Sequence, residues 1–238
     1  MVMSGLLFET CLVYLDDIII FGKTLEEHLQ RLEDVLQRLV STGLKLKPSK
    51  CRLLQTSVTF LGHVVSAEGI ATDPEKTRSV EEWPVPVSVK EVRGFLGLSG
   101  YYRKFVKDYA RIAAPLTALT RKGQHFEWTS ECQVAFDALK RALTTPPVLA
   151  MPDDQGSFIL DTDASDVSVG AVLSQVQGGV ERVIAYGGRS LSRQERNYCI
   201  TRRELLAVVY FVRYYRQYLL GRRFLVRTDH SALTWLHR

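Results

Sequence analysis

Two groups of acidic residues in this chain have the type and spacing to hold cations. The first is the adjacent pair Asp16 and Asp17, set between the apolar runs Cys11 to Leu15 and Ile18 to Phe21. Neighbouring carboxylates repel, a cation offsets the repulsion, and hard divalent ions such as magnesium prefer carboxylate oxygens. Aspartate is also a common turn former, so simple closure of a hairpin competes with metal binding. The second group is Asp163, Glu204 and Asp229. Asp163 ends a strand-like run, Glu204 falls in the first turn of a helical stretch, and Asp229 follows another strand-like run. Three converging carboxylates can hold two metal ions about 4 Å apart, one activating water and one stabilising a leaving oxygen. Each acid has a plainer alternative: Asp163 in an Asx-turn with Ser165, Glu204 as capping-box partner of Thr201, and Asp229 as a helix cap. Asp161, on the same strand face as Asp163, and Asp166, in the following turn, rank below it. His28, His63, His125, His230 and His237 form no evident ligand set, and His230 is expected to face solvent.

The elements that must position these acids follow from periodicity. The two apolar runs around Asp16-Asp17 read as a buried β-hairpin with the acids at its tip. Thr24 and Glu27 form a capping box, and Leu25, Leu29, Leu32, Leu36 and Leu39 recur at steps of four and three before Gly43 ends the helix. Leu44–Lys47 and Val58–Val65 are strand-like. Trp83 to Pro86 looks like a hinge. Ser88, with Glu91, opens a helical pattern running to about Tyr109, which Gly97 and Gly100 can break. Ser130, with Gln133, caps another helix, with its stripe on Cys132, Phe136, Leu139 and Leu143. Thr144 to Ser157 carries three prolines and reads as a domain boundary. Beyond it, Phe158–Leu160, Gly170–Val176 and Arg182–Tyr186 are strands and a long helix starts near Thr201. Phe224–Arg227 is a fourth strand, and Ser231 opens a last helix. Strands in series, then helix, strand and helix, make an α/β layer.

Composition narrows the class of partner. A charged fraction of 24% and a hydrophobic fraction of 46% are ordinary for a globular protein and argue against wholesale disorder. The longest apolar stretch, broken by Asp16 and Asp17, is too short to span a bilayer, so no membrane role is expected. Cys11, Cys51, Cys132 and Cys199 are scattered without zinc-ligand spacing. The net charge of +5 is unevenly spread. Arg103, Lys104, Lys107 and Arg111 belong to one basic run and Arg202, Arg203 and Arg213 to another, which points to a phosphate backbone. A solvated helix face is the competing reading. Interleaved aromatics such as Tyr101, Tyr102 and Phe105 can stack on bases or simply fill a core.

Tyr14-Leu15-Asp16-Asp17, with its apolar flanks, resembles the YxDD hairpin of reverse transcriptases. Lys47 to Cys51 and Phe60-Leu61-Gly62-His63 are similar to the last palm segments, the latter to the primer-grip hairpin. Val92 to Leu98 with Tyr101 to Phe105 resembles the thumb of gypsy-class LTR retrotransposons. Thr162 to Ser165, Glu204 to Val208 and Thr228-Asp229-His230 look like the first three acidic motifs of the attached RNase H.

The resemblance implies a multidomain α/β and α+β chain. Residues 1–84 would be the C-terminal part of the palm, 85–125 the thumb, 126–156 the connection, and 157–238 an RNase H-like α/β domain, C-terminally truncated. It implies that Asp16, Asp17, Asp163, Glu204 and Asp229 are catalytic metal ligands for magnesium or manganese. Tyr14, Phe60, Leu61, Gly62, His63, Arg103, Lys104 and Lys107 would contact nucleic acid. The partners implied are an RNA template, a DNA primer, an RNA–DNA hybrid and the rest of a Pol polyprotein, in a cytoplasmic retroelement particle or the nucleus. Such polymerases need a further palm aspartate and fingers N-terminal to the YxDD hairpin. Such nucleases use a fourth carboxylate C-terminal to the Asp229 equivalent. On this reading the chain by itself extends no primer. Gly187-Gly188 is a smaller departure, since relatives often carry serine there. The alternative is a co-opted, catalytically dead nucleic-acid-binding remnant.

Overall fold

The computed structural model describes residues 2–233, and the chain divides into two compact units between Thr56 and Ser57. In the first unit, β1 (Cys11–Tyr14) pairs antiparallel with β2 (Asp17–Ile20), with Tyr14 opposite Asp17. That register leaves a two-residue turn, Leu15-Asp16. Leu15 has a φ of 53°, a left-handed conformation uncommon for a non-glycine residue. Helix α1 (Leu25–Ser41) follows, with Thr24 as N-cap accepting from the Glu27 N–H at 3.2 Å. The core here is small: Met3, Cys11, Val35 and Leu39 are its buried residues. Residues 44–47, expected as a strand, are irregular and join no strand ladder among the described residues. Lys45 and Lys47 leave only Leu44 and Leu46 as apolar anchors, and both stay exposed.

The second unit opens with a three-stranded antiparallel sheet of β3 (Ser57–Phe60), β4 (His63–Ser66) and β5 (Gly69–Thr72). The single run expected over Val58–Val65 is thus a hairpin, turned at Leu61-Gly62. Their φ values of 50° and 67° are those a tight two-residue hairpin requires. Helix α2 (Pro74–Glu81) was not foreseen, although Asp73 as N-cap and Pro74 in the first turn announce it. Helix α3 (Val89–Tyr101) is capped by Ser88 as expected. It does not run on to Tyr109: Tyr102 ends it, a 3₁₀ turn spans Arg103–Phe105, and Asp108 at φ 57° starts α4 (Tyr109–Ile112). Helix α5 (Ala114–Leu119) and α6 (Ser130–Thr144) complete a helical body. The N-cap of α6 is Thr129 rather than Ser130. Phe95, Tyr102, Phe105, Leu116, Phe136 and Leu139 fill its core.

A second sheet has the order β8-β7-β6-β9, from β6 (Ser157–Ala164), β7 (Ser168–Gln177), β8 (Val180–Ser190) and β9 (Phe224–Arg227). The first three strands form an antiparallel meander, and β9 joins β6 in parallel. Each meander strand is longer than its apolar run implied, because polar ends such as Asp161–Asp163 and Gly187–Ser190 continue the ladder. Helix α7 (Ile200–Tyr214) packs Ala207 and Phe211 onto Leu160, Leu173 and Ala185, and the short α8 (Arg216–Leu219) follows. The proline-containing segment expected as a boundary is stitched on both sides. Leu149 exchanges backbone hydrogen bonds with Ile70 (2.8 and 2.9 Å), and Ala150 donates to Val183. Residues 231–233 form the start of a helical turn, and the remainder of the helix expected from Ser231, with His237, lies outside the described residues.

Candidate metal and nucleic-acid site

Asp163 lies at the penultimate position of β6, Glu204 in the first turns of α7, and Asp229 two residues beyond β9. One carboxylate oxygen from each lies within 4.8 Å of the others. Asp163 and Asp229 are exposed, whereas Glu204 is 2% exposed. Its Oε1 accepts from the Ala164 N–H at 3.2 Å, and its Oε2 is buried with no partner. Burial first, then repulsion from Asp163 and Asp229, pushes the Glu204 pKa up to about 7, against the pull of the Ala164 N–H and Arg203. A buried, partnerless carboxylate oxygen facing two further carboxylates is unfavourable without a cation. The all-oxygen donor set suits a hard divalent ion. The residues therefore fit a divalent metal.

Two of the plainer roles, those of Glu204 and Asp163, fall away. Cys199 is the N-cap of α7 and makes no side-chain cap bond, so Glu204 closes no capping box with Thr201. The Thr201 hydroxyl instead lies 2.9 Å from His230 Nε2. This bond ties the segment after β9, which carries Asp229, to the first turn of the helix that carries Glu204. His230 is consequently half-buried rather than solvent-facing. Ser165 bonds Ser168 and makes no Asx-turn with Asp163. Arg203, beside Glu204 in sequence, donates to the Ser165 carbonyl at 3.1 Å and pairs with Asp166, tethering the β6–β7 turn to α7. Asp161 is held by Arg227 at 2.5 and 2.7 Å. Sequence reading passed over Thr201 and Arg203 as positioning groups; their adjacency to Glu204 was the available signal.

Gly187 and Gly188 mark where this sheet is approached from both faces. A Cβ at Gly187 would sit 2.6 Å from Phe211 and 2.7 Å from the Tyr215 hydroxyl, and one at Gly188 would meet Ala110 at 3.3 Å. Glycine at 187 thus lets the α7 rings close on the strand where a serine would crowd them.

Elsewhere, Asp16 and Asp17 are exposed at the β1–β2 tip with Tyr14, in the first unit. In the second unit the Phe60–His63 turn is clamped by aromatic residues. Tyr101 donates to the Leu61 carbonyl at 2.5 Å and Tyr102 to that of Gly62 at 2.8 Å. His63 Nδ1 lies 2.8 Å from the Leu61 oxygen, and its ring contacts Tyr101, Tyr102 and Phe105 with centroids 5.4 to 5.7 Å away. Burial, then the nearby Lys104 charge, lowers the His63 pKa. Of the basic trio, Lys107 is exposed, Lys104 is half-buried with its Nζ 5.2 Å from the Phe105 ring centroid, and Arg103 donates to the Gly188 carbonyl.

An α/β layer in which two carboxylates at strand ends converge with one at a helix start defines an RNase H-like module, here continuous with a helical body. Comparison with known proteins agrees. Residues 128–226 match the family described as an RNase H-like domain found in reverse transcriptase, and residues 3–65 match reverse transcriptase (RNA-dependent DNA polymerase). The chain is 44% identical to the retrovirus-related Pol polyprotein from transposon 297 of Drosophila melanogaster, over 99% of this chain and 22% of that protein. It is 38% identical to the corresponding polyprotein from transposon gypsy, over 95% of this chain and 23% of the relative. A solved foamy viral protease-reverse transcriptase dRH in complex with double-stranded DNA superposes with a TM-score of 0.85 at 25% identity, over 99% of this chain and 41% of that one. A foamy viral protease-reverse transcriptase in complex with RNA/DNA hybrid gives 0.82 at 25% identity, covering 95% and 31%. This chain belongs to the reverse transcriptase and RNase H family of retrotransposon Pol polyproteins. It spans about a fifth of the length of the curated relatives it matches. No helix among the described residues is long and apolar enough to cross a membrane.

Proposed function

We propose that this chain is part of a retroelement Pol polyprotein with RNA-directed DNA polymerase and RNase H chemistry, and that Asp163, Glu204 and Asp229 hold the nuclease's divalent ions, magnesium or manganese. The observation that carries this reading is the convergence of three carboxylates within 4.8 Å, one of them buried with a free oxygen. A divalent cation held there supplies the charge that favours attack of water on an RNA phosphodiester. The chain's own contribution is positional. The Ala164 N–H fixes one Glu204 oxygen and leaves the other toward the cation, while the Thr201–His230 bond brings Asp229 to the helix start. Asp16 and Asp17 are proposed as metal ligands of the polymerase centre. Tyr14, Phe60, Leu61, Gly62 and His63 are proposed to lie against the primer, with Lys104 and Lys107 tracking the duplex. Arg103, bonded to Gly188, shapes that surface from beneath. The partners are then an RNA template, a DNA primer and their hybrid, as the complexes of the foamy viral enzymes support, together with the rest of the polyprotein. The proposed setting is a cytoplasmic retroelement particle or the nucleus, with palm, thumb, connection and nuclease boundaries near residues 84, 125 and 156.

The test is a thermal melt with and without millimolar magnesium, with calcium run alongside to expose ionic-strength effects. Magnesium is expected to stabilise the second unit by RT ln(1 + [Mg]/Kd), about 2.7 kcal/mol at a hundred times Kd. Asp163→Asn is expected to abolish the rise. A wild-type chain that melts identically with and without magnesium would refute the metal assignment.

A further inference from the structure

We propose that Arg111, carried by α4 outside the nuclease-like sheet, binds a substrate phosphate beside the three-carboxylate centre. The inference rests on reading that centre as a phosphodiester site, and it adds a residue that the nuclease-like segment, residues 128–226, does not contain.

The argument begins with how α4 meets the sheet. Asp163 pairs with Gly170 across the β6–β7 ladder, and Gly170 pairs with Gly188 across β7–β8, so the three share one face. Two consecutive glycines across the strands leave a flat strip at the level of Asp163. The α4 corner settles into it. A Cβ on Gly188 would meet the Ala110 side chain and backbone N at 3.3 and 3.4 Å, and one on Gly170 would lie 3.5 Å from the Asp108 carboxylate. Arg103 secures the contact by donating to the Gly188 carbonyl, with its guanidinium 5.9 Å from the centre of the Tyr109 ring. The corner is held in place by buried residues at its base, Phe105, Tyr109 and Ala110.

This docking forms a cleft of about 10 Å³, lined by Asp108, Arg111, Asp163, Ser165 and Ser168 among others. Asp163 is common to the carboxylate centre and to the cleft. The space admits a water and excludes a phosphate, so a polynucleotide strand must lie across its mouth. Arg111 is placed there. Its side chain is 62% exposed, and Nη2 is held by Asp108 Oδ2 at 2.8 Å. Nη1 and Nε have no protein partner among the described residues. A guanidinium oriented at one nitrogen and free at the others is suited to a phosphate, which it meets with paired donors. Asp108 is in the left-handed region, with φ 57°, at the turn that starts α4 and leads to Arg111 three residues on. An anionic strand approaching Asp163 and Asp229 also needs a fixed positive charge close by, and Arg111 supplies it in the same cleft.

The experiment uses the full chain and an RNA–DNA hybrid duplex, titrated in calcium across a range of salt. Arg111→Gln is expected to weaken binding by about three- to tenfold at low salt and to flatten the log–log salt slope by about 1. Arg111→Lys is expected to keep the slope and lose part of the affinity, because it retains the charge without the fork. Asp108→Asn, an exchange tolerant of the left-handed backbone, is expected to tighten binding by freeing Arg111. Combined with Asp163→Asn, Arg111→Gln is expected to be non-additive, as neighbours on one phosphate are. Wild-type affinity and slope in Arg111→Gln, or strict additivity with Asp163→Asn, would overturn the proposal. The magnesium melt is expected to be unaltered by Arg111→Gln. A failed magnesium shift in the wild type therefore refutes the carboxylate centre, whereas a preserved shift with unaltered hybrid binding refutes Arg111 alone.

Discussion

The chain carries two acidic sites on supports of very different depth. Asp16 and Asp17 sit at the tip of a two-stranded hairpin whose unit buries four core residues, and both side chains are open to water. Asp163, Glu204 and Asp229 sit where a four-stranded sheet meets a helix, over a core that includes Phe158, Leu160, Leu173 and Phe211. The shallow support cannot desolvate its acids, so their mutual repulsion is relieved by solvent. The deep support removes Glu204 from water and leaves one oxygen without a protein partner among the described residues. Adjacent acids on a hairpin and distant acids on a layered sheet are thus two ways to gather carboxylates. Only the second builds electrostatic stress into the fold.

The sharpest way to break this contrast is to remove side chains from each support. Phe211→Ala is expected to cost about 3–5 kcal/mol in urea unfolding, because it empties a fully buried ring site beneath the carboxylates. Leu39→Ala on α1, in the small core of the first unit, is expected to cost less, about 2 kcal/mol, because that core can collapse around the gap. A loss at Leu39 similar to that at Phe211 would show that the first unit is as tightly built as the second.

A smaller effect sharpens the electrostatic side. Glu204→Gln keeps a side-chain oxygen for the Ala164 N–H and removes the charge facing Asp163 and Asp229. Without metal its melting temperature is expected to be unchanged or about 2–4 °C higher, and the magnesium-induced rise should disappear. Asp17→Asn is expected to leave both the metal-free melt and the magnesium shift of the second unit as they are. A clear fall in the metal-free melting temperature of Glu204→Gln would mean that the ionised carboxylate stabilises the apo fold, contrary to the stress described.

The smallest effect concerns an acid that its surroundings satisfy. Arg189 and then the Ser192 N–H hold Glu195 well below the usual carboxylate range, at about 2. A depressed folded-state pKa means the unfolded chain binds the proton more readily. The stabilisation is therefore present above the unfolded pKa near 4.5 and is lost as pH falls toward 2. Glu195→Gln should be less stable than wild type at pH 7, with the gap narrowing by pH 3 in chemical denaturation. A gap independent of pH would assign the difference to shape instead of charge.

Much of this was legible in the sequence, for identifiable reasons. Helix starts set by local chemistry, Thr24 with Glu27 and Ser88 with Glu91, appear in the structure with their cap bonds made. The same pattern misled at Thr201 and Glu204, because a capping box and a buried carboxylate facing a second strand share one spelling. Only the tertiary partner, the Ala164 N–H forty residues away, separates them. The resemblance of Phe60–His63 to a primer-grip hairpin pointed to the turn there, whereas periodicity read Val58–Val65 as one run, because Leu61 in the left-handed region breaks no apolar pattern and Tyr101 and Tyr102, which hold the turn, arrive forty residues later. Arg103 read as one more cation in a basic run, yet its guanidinium meets a backbone carbonyl of the other sheet. Charge runs disclose the sign of a surface and conceal which members have turned inward.

The parallel pairing of β9 with β6 has a consequence for timing. The meander β6-β7-β8 closes through contacts between neighbours in sequence, so it can form as soon as it leaves the ribosome. Its fourth strand must return across a long interval, as the Asp161–Arg227 pair, sixty-six residues apart, records. At translation rates of about 5–20 residues per second, several seconds separate the emergence of Asp163 from that of Asp229. Asp163 emerges first, Glu204 forty-one residues later and Asp229 a further twenty-five residues on, so the trio is incomplete throughout that interval. Asp229 joins the two earlier acids only after β9 has followed α7 out of the ribosome.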